Sequence, residues 1–168
     1  MPPLRPLGPH ARDSHGSPGP GNDPASLDEA SALARALDRE HAAVYVYGML
    51  QAFADASARA GVGAALAVHR ARRDAVAELL ATRGMAPVIA APAYEPPADI
   101  DSSASALRVA AIIEDDCARA WHAVIVRATA RTVREAAIDA LSECARTAAS
   151  WRIALGDQPA TEPFPGSP

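Results

Sequence analysis

Apolar residues between positions 27 and 155 recur at helical intervals and fall into four stripes. The first, Leu33, Leu37, Val44 and Tyr47, follows the three-four spacing that lines one face of a helix. Its start is marked by Ser26-Leu27-Asp28-Glu29, a Ser-x-x-Glu pattern that satisfies two orphan amides of a first turn. The second stripe reads Leu66, His69, Val76 and Leu80, and it stops at Arg83-Gly84, a basic last turn followed by a C′ glycine. Arg70, Arg72, Arg73 and Asp74 are predicted to point mostly outward. The third has the cleanest spacing, Leu107, Ala110, Glu114, Cys117, Trp121 and Val124, with Asp101, Ser102 or Ser103 available as its cap. The fourth opens at Thr132-Val133-Arg134-Glu135, a second capping-box pattern. It carries Val133, Ala137, Leu141, Cys144, Ala148, Trp151 and Leu155 before Gly156.

The connections decide how the stripes pair. Between the first two, Gly61-Val62-Gly63 is the obvious breaker, but Asp55 and Ser57 are good N-caps and allow a turn near residue 55. About four residues separate the third and fourth stripes, which makes those helices antiparallel neighbours. The segment "MAPVIAAPAYEPPADIDSS" holds four prolines and no helical period. At about 3.3 Å per extended residue it can run the whole length of a helix. The expected fold is all-α, a four-helix bundle of two antiparallel hairpins joined by a long Pro-rich crossover. Residues 1–25 are expected to be a disordered Pro/Gly-rich tail, 26–155 the bundle, and 156–168 a flexible C-terminal tail in which Phe164 could dock on the body.

Composition agrees and narrows the function classes. Of 168 residues 42 are Ala, and aromatics make up only 4%, a bias toward helices that approach closely. All 16 basic residues are Arg, and the formal net charge is −4, which gives no reason to expect nucleic acid or an anionic membrane as partner. The longest uncharged run, His41 to Ala54, has 14 residues, short of the roughly 20 a membrane span needs. No secretory signal is visible at the N-terminus, and two Cys fit a reducing compartment. The expected location is cytoplasmic. Gly-rich phosphate loops, Cys-x-x-Cys pairs and a supported Ser-His-Asp arrangement are all absent from the sequence.

The candidate chemistry lies inside the stripes. Glu40, His69 and Glu114 each occupy a mid-helix position among apolar neighbours, and a buried unpaired charge costs several kcal/mol. A first turn near residue 55 puts Glu40 and His69 level, whereas a turn at Gly61–Gly63 displaces them by about 12–18 Å at 1.5 Å per residue. A turn near residue 130 sets Glu114 level with Arg146, Glu143 one turn away, and Cys117 level with Cys144. His41 lies about 100° off the stripe and is read, like His122, as a partly exposed helix residue. His10 and His15 are read as solvated tail residues. Cys117 and Cys144 are read as small core residues, with a redox disulfide as the alternative, and Tyr45, Tyr47, Trp121 and Trp151 as core aromatics.

Carboxylates on several antiparallel helices with a His on another resemble the ferritin-like pattern. In its complete form two helices supply a Glu and two supply Glu-x-x-His around two metal ions. The segments "EHAAVYVYG", "HRARRDAVAELL" followed by "RG", and "APAYEPP" together resemble a ferritin-like domain family of unknown function from high-GC bacteria, over roughly residues 27–155. The resemblance implies a shared Glu-His on the first helix, a His on the second, and a first turn near residue 55. This chain departs from the full two-metal set. Leu66 stands three before His69, and Arg146 stands where the fourth helix would carry a His. Glu40, His69, Glu114 and Glu143 therefore make a remnant metal site. Arg146 is expected to pair with Glu114 or Glu143 in the space a metal would fill, and Tyr47 to join the same polar layer. The expectation is a non-enzymatic binding or assembly module without a resident cofactor, self-associating as a homodimer or similar. The alternative is an oxidase or peroxide-handling protein using iron or manganese.

Overall fold

The computed structural model describes residues 24–86 and 88–167, which form helices α1 (Pro24–Phe53), α2 (Arg59–Thr82), α3 (Ser103–Arg127) and α4 (Arg131–Leu155). Among the described residues there is no strand, and no helix is long and apolar enough to cross a membrane. Residues 1–23, with His10 and His15, lie outside the described residues. The expected all-α bundle of two hairpins and a crossover is the fold observed.

The first hairpin turns at residues 54–58, as the early-turn register requires. Asp55 builds the turn, its carboxylate accepting from the Ser57 and Ala58 amides and from the Ser57 hydroxyl. Gly61 and Gly63 lie inside α2. That helix ends in a Schellman motif: Gly84 takes φ +69°, its amide donates to Ala81 O, and the Met85 amide donates to Leu80 O. Only glycine enters this left-handed region without steric cost. Gly156 closes α4 in the same way at φ +78°.

From Gly84 the crossover runs back along α1. Val88 O accepts from His41 Nε2 at 3.2 Å, and Tyr94 packs against Tyr45 with ring centroids 5.8 Å apart. The chain reaches the first turn again at Ser103, whose hydroxyl accepts from the Asp55 amide. Ser102 is the α3 cap and forms a reciprocal box with Ser105. It follows that α3 runs parallel to α2 and antiparallel to α1, and that α4 returns parallel to α1.

Two helix starts differ from expectation. α1 begins at Pro24, so Ser26 sits within its first turn and is not the N-cap. α4 begins at Arg131 with Ala130 as its cap, ahead of the Thr132–Glu135 pattern. The turn leading into it is held from another helix: Glu29 Oε2 accepts from the Thr129 and Ala130 amides and the Thr129 hydroxyl, while Oε1 pairs with Arg83. One buried carboxylate thus ties together the start of α1, the end of α2 and the α3–α4 turn.

Packing joins α2 to α1, α1 to α3 and α3 to α4. Ala32, Ala36 and Ala43 on α1 and Ala106 and Ala110 on α3 are fully buried, small enough for close helix approach. α2 and α4 instead face each other across a cleft of about 250 Å³. The C-terminal segment folds over α3 and α4. Gly166 sits against the Ala118 carbonyl and His122, where a Cβ would come within 2.6 Å of that oxygen. Phe164, expected as the docking residue, is instead 83% exposed.

Candidate functional site

Halfway along the bundle, every helix contributes a polar side chain to one layer. Glu40 from α1 is fully buried, and His69 from α2 and Glu114 from α3 are nearly so. The first-turn register brings them together as the sequence spacing implies. His69 lies between the two carboxylates, with Nδ1 2.7 Å from Glu40 Oε2 and Nε2 3.1 Å from Glu114 Oε1. Tyr47 donates its hydroxyl to Glu114 Oε1 at 2.6 Å and accepts from Trp151 Nε1 at 3.0 Å. Trp121 donates to Glu40 Oε1 at 2.7 Å. Tyr47 thus lies in the layer, between Glu114 and Trp151. Trp121 and Trp151 are core aromatics that also carry a polar function.

Arg146 is not a member. It is exposed, and its Nε donates to the carbonyl of Ser142 on its own helix. The guanidinium in the layer belongs to Arg72, expected to point outward but with a side chain only 11% exposed. Its Nη1 donates to Glu40 Oε1 at 3.2 Å and to Cys144 Sγ at 3.3 Å, and its Nη2 donates to Glu143 Oε2 at 2.9 Å. A signal for this was present. The stripe Leu66, His69, Val76, Leu80 has a gap that Arg72 fills in steps of three and four, and its aliphatic stem can lie along the core while the head reaches in. The physical reason Arg72 wins over Arg146 is the open α2–α4 cleft, whose lining includes His69, Arg72, Glu114 and Glu143. Glu143 stands at the mouth with its side chain 43% exposed, so it meets the layer through Arg72.

Electrostatics follow from this arrangement. Burial disfavours the charged form of His69, but hydrogen bonds and charge from Glu114 and Glu40 outweigh it and raise its pKa to about 10. With a carboxylate on each nitrogen, the ring is placed to donate from both as an imidazolium. Burial pushes the Glu40 carboxyl up, yet His69, Arg72 and Trp121 together hold it below the usual range. Burial and the Glu114 charge push the Tyr47 hydroxyl well up, so it remains a donor. Cys117 is raised well above the ordinary thiol value by its hydrogen bond with Cys144, by burial and by Glu40. Both cysteines are free and buried. Among the described residues no buried side-chain nitrogen or oxygen lacks a partner.

Metal-binding potential can be tested on the same contacts. A two-metal centre needs six ligands, and the positions that would complete one hold Leu66, Arg146 and an Arg72 guanidinium wedged between Glu40 and Glu143. An arginine cannot ligate, and the Arg72 guanidinium fills the space between Glu40 and Glu143. The residues present do not fit two metal ions. A smaller cluster does converge, since ligand atoms of Glu40, His69 and Cys117 lie within 4.8 Å of one another.

These features define the class: a four-helix bundle with a buried carboxylate–imidazolium–guanidinium layer open to one cleft. The model of the family described as Domain of unknown function (DUF4439) matches residues 32–168, and the chain belongs to that family. A solved structure of similar fold is that of a conserved hypothetical protein, rv2844, from Mycobacterium tuberculosis. It shares 39% identity with a TM-score of 0.77, over 84% of this chain and 99% of that one. No curated protein matches the chain.

Proposed function

We propose that this chain is a ferritin-like bundle that works by binding or assembly rather than by catalysis. In this reading a closed ion-pair layer stands where a complete relative would carry two metal ions. The observation that carries it is the position of Arg72, paired with Glu40 and Glu143, together with both His69 nitrogens engaged by carboxylates. A charge cluster in which each member has its partner stabilises one helix register. The ferritin-like assignment is supported by the helix directions and by the carboxylates and His that α1, α2 and α3 bring to one level. Self-association is part of the proposal. It is supported by Ile112 and Val126 on α3 and Ile138 and Ile153 on α4, all exposed, and light scattering is its check.

The test of the main reading is metal analysis of untagged protein from cells grown with added iron and manganese. Well below one equivalent of either per chain is expected, with no consumption of oxygen or peroxide. One or more equivalents, lost in a His69→Ala variant, would favour an iron- or manganese-dependent oxidase or peroxide-handling protein instead.

A further inference from the structure

We propose that the polar layer can take up one borderline-soft divalent cation, zinc being the best fit, with Glu40, His69 and Cys117 as its three ligands. The site rests on the reading of the layer given above; it shares Glu40 and His69 with the remnant set and differs from it in taking the Cys117 sulfur in place of Glu114 and Glu143.

Two observations carry it. The first is convergence: a carboxylate oxygen, an imidazole nitrogen and a sulfur from α1, α2 and α3 lie within 4.8 Å of one another, all buried. A mixed oxygen, nitrogen and thiolate set suits zinc or cobalt better than iron or manganese. The second is the way each ligand is held from behind. His69 Nε2 donates to Glu114 Oε1, which leaves Nδ1 as the nitrogen facing Glu40. A carboxylate on the far nitrogen is the usual device that fixes a metal-binding His in one tautomer and raises its basicity. Glu114 is in turn fixed by Tyr47, and Tyr47 by Trp151. Glu40 is gripped through Oε1 by Trp121 and Arg72, so that Oε2 faces His69.

Binding one M²⁺ at this set releases the Cys117 thiol proton and the proton on His69 Nδ1. Arg72 stays on Glu143 and Cys144, and Cys144 is outside the ligand set because its sulfur is not in the converging group. The α2–α4 cleft, which has His69 in its lining, supplies the path for the ion.

Cobalt(II) added to the full-length, untagged, reduced and chelator-treated chain is the probe, because thiolate–cobalt bonds absorb strongly. One equivalent is expected to saturate the absorption, and added zinc to remove it. Cys117→Ser should abolish the band, Glu40→Gln should weaken binding at least tenfold, and Cys144→Ser and Glu143→Gln should keep both band and stoichiometry. Circular dichroism confirms folding, and Cys117→Ala repeats the test if serine unfolds the chain. No band in the native chain, a band that survives loss of Cys117, or one lost equally with Cys144 would overturn the site. Those results would leave the non-catalytic reading intact, whereas two equivalents of iron with oxygen turnover would remove that reading.

Discussion

Arg72 and Arg146 have the same side chain and opposite environments, and the difference sets what each contributes. Arg72 bonds to Glu40, which has no access to water, so deleting it leaves a buried carboxylate short of a partner. Breaking a buried pair from one side costs about 3–5 kcal/mol, and His69 and Trp121 remain on Glu40 to absorb part of that. We expect Arg72→Ala to lower stability by about 3 kcal/mol, toward the low end of that range. Arg146→Ala, on an exposed side chain bonded only to its own helix, should stay within about 0.5 kcal/mol. Urea unfolding of the two variants measures the contrast. Equal effects would mean that Arg72 does not hold the layer. The identities of Glu40, His69, Glu114 and Tyr47 as layer members were legible in the sequence, because each interrupts or joins an apolar stripe at helical spacing. The inward arginine was not, because an arginine on a stripe reads as a solvated shoulder unless the neighbouring helices leave room beside it.

Elements are fixed by a few local devices, and two of them give opposite signs for chemically identical changes. Gly48 and Gly61 both lie inside helices, where alanine is the better helix former by about 1 kcal/mol. A Cβ at Gly48 meets nothing within 4 Å, whereas at Gly61 it comes within 2.8 Å of the Trp151 ring. Gly48→Ala is expected to raise stability by about 0.5–1 kcal/mol. Gly61→Ala is expected to lower it, since overpacking costs about 1–3 kcal/mol, and to shift tryptophan fluorescence by moving the ring that bonds Tyr47. Thermal unfolding with fluorescence detection separates the two.

Glu29 is the second device. Burial raises its pKa, but the Ala130 and Thr129 amides, the Thr129 hydroxyl and Arg83 outweigh burial, and the net shift is downward from 4.5. A carboxylate depressed by folding contributes stability that is present above its unfolded pKa and lost as pH falls through its folded one. Glu29→Gln should therefore remove part of the loss of stability below pH 4.5 and cost about 1–3 kcal/mol at neutral pH. An unchanged acid limb in denaturant titrations would exclude this role. Helix number, the Gly84 and Gly156 stops and the Ser102 cap could all be read from local pattern. The Glu29 bridge could not, because the amides it caps are a hundred residues away along the chain.

At the scale of the molecule, the bundle encloses a charged layer in which no buried side-chain nitrogen or oxygen among the described residues lacks a partner, and the cleft between α2 and α4 is lined by members of that layer. The long crossover makes this possible. By carrying the chain back along α1 it sets α3 parallel to α2, which places Glu114 beside His69. The account as a whole depends on the layer being closed by its own charges, with His69 as a cation between two carboxylates. The ring ¹⁵N signals of His69 in chelator-treated protein at neutral pH, assigned by their loss in His69→Gln, test this most directly. Two protonated ring nitrogens, persisting until the pH approaches about 10, are the expected result. A neutral ring carrying one proton and one free lone pair at pH 7 would contradict the account.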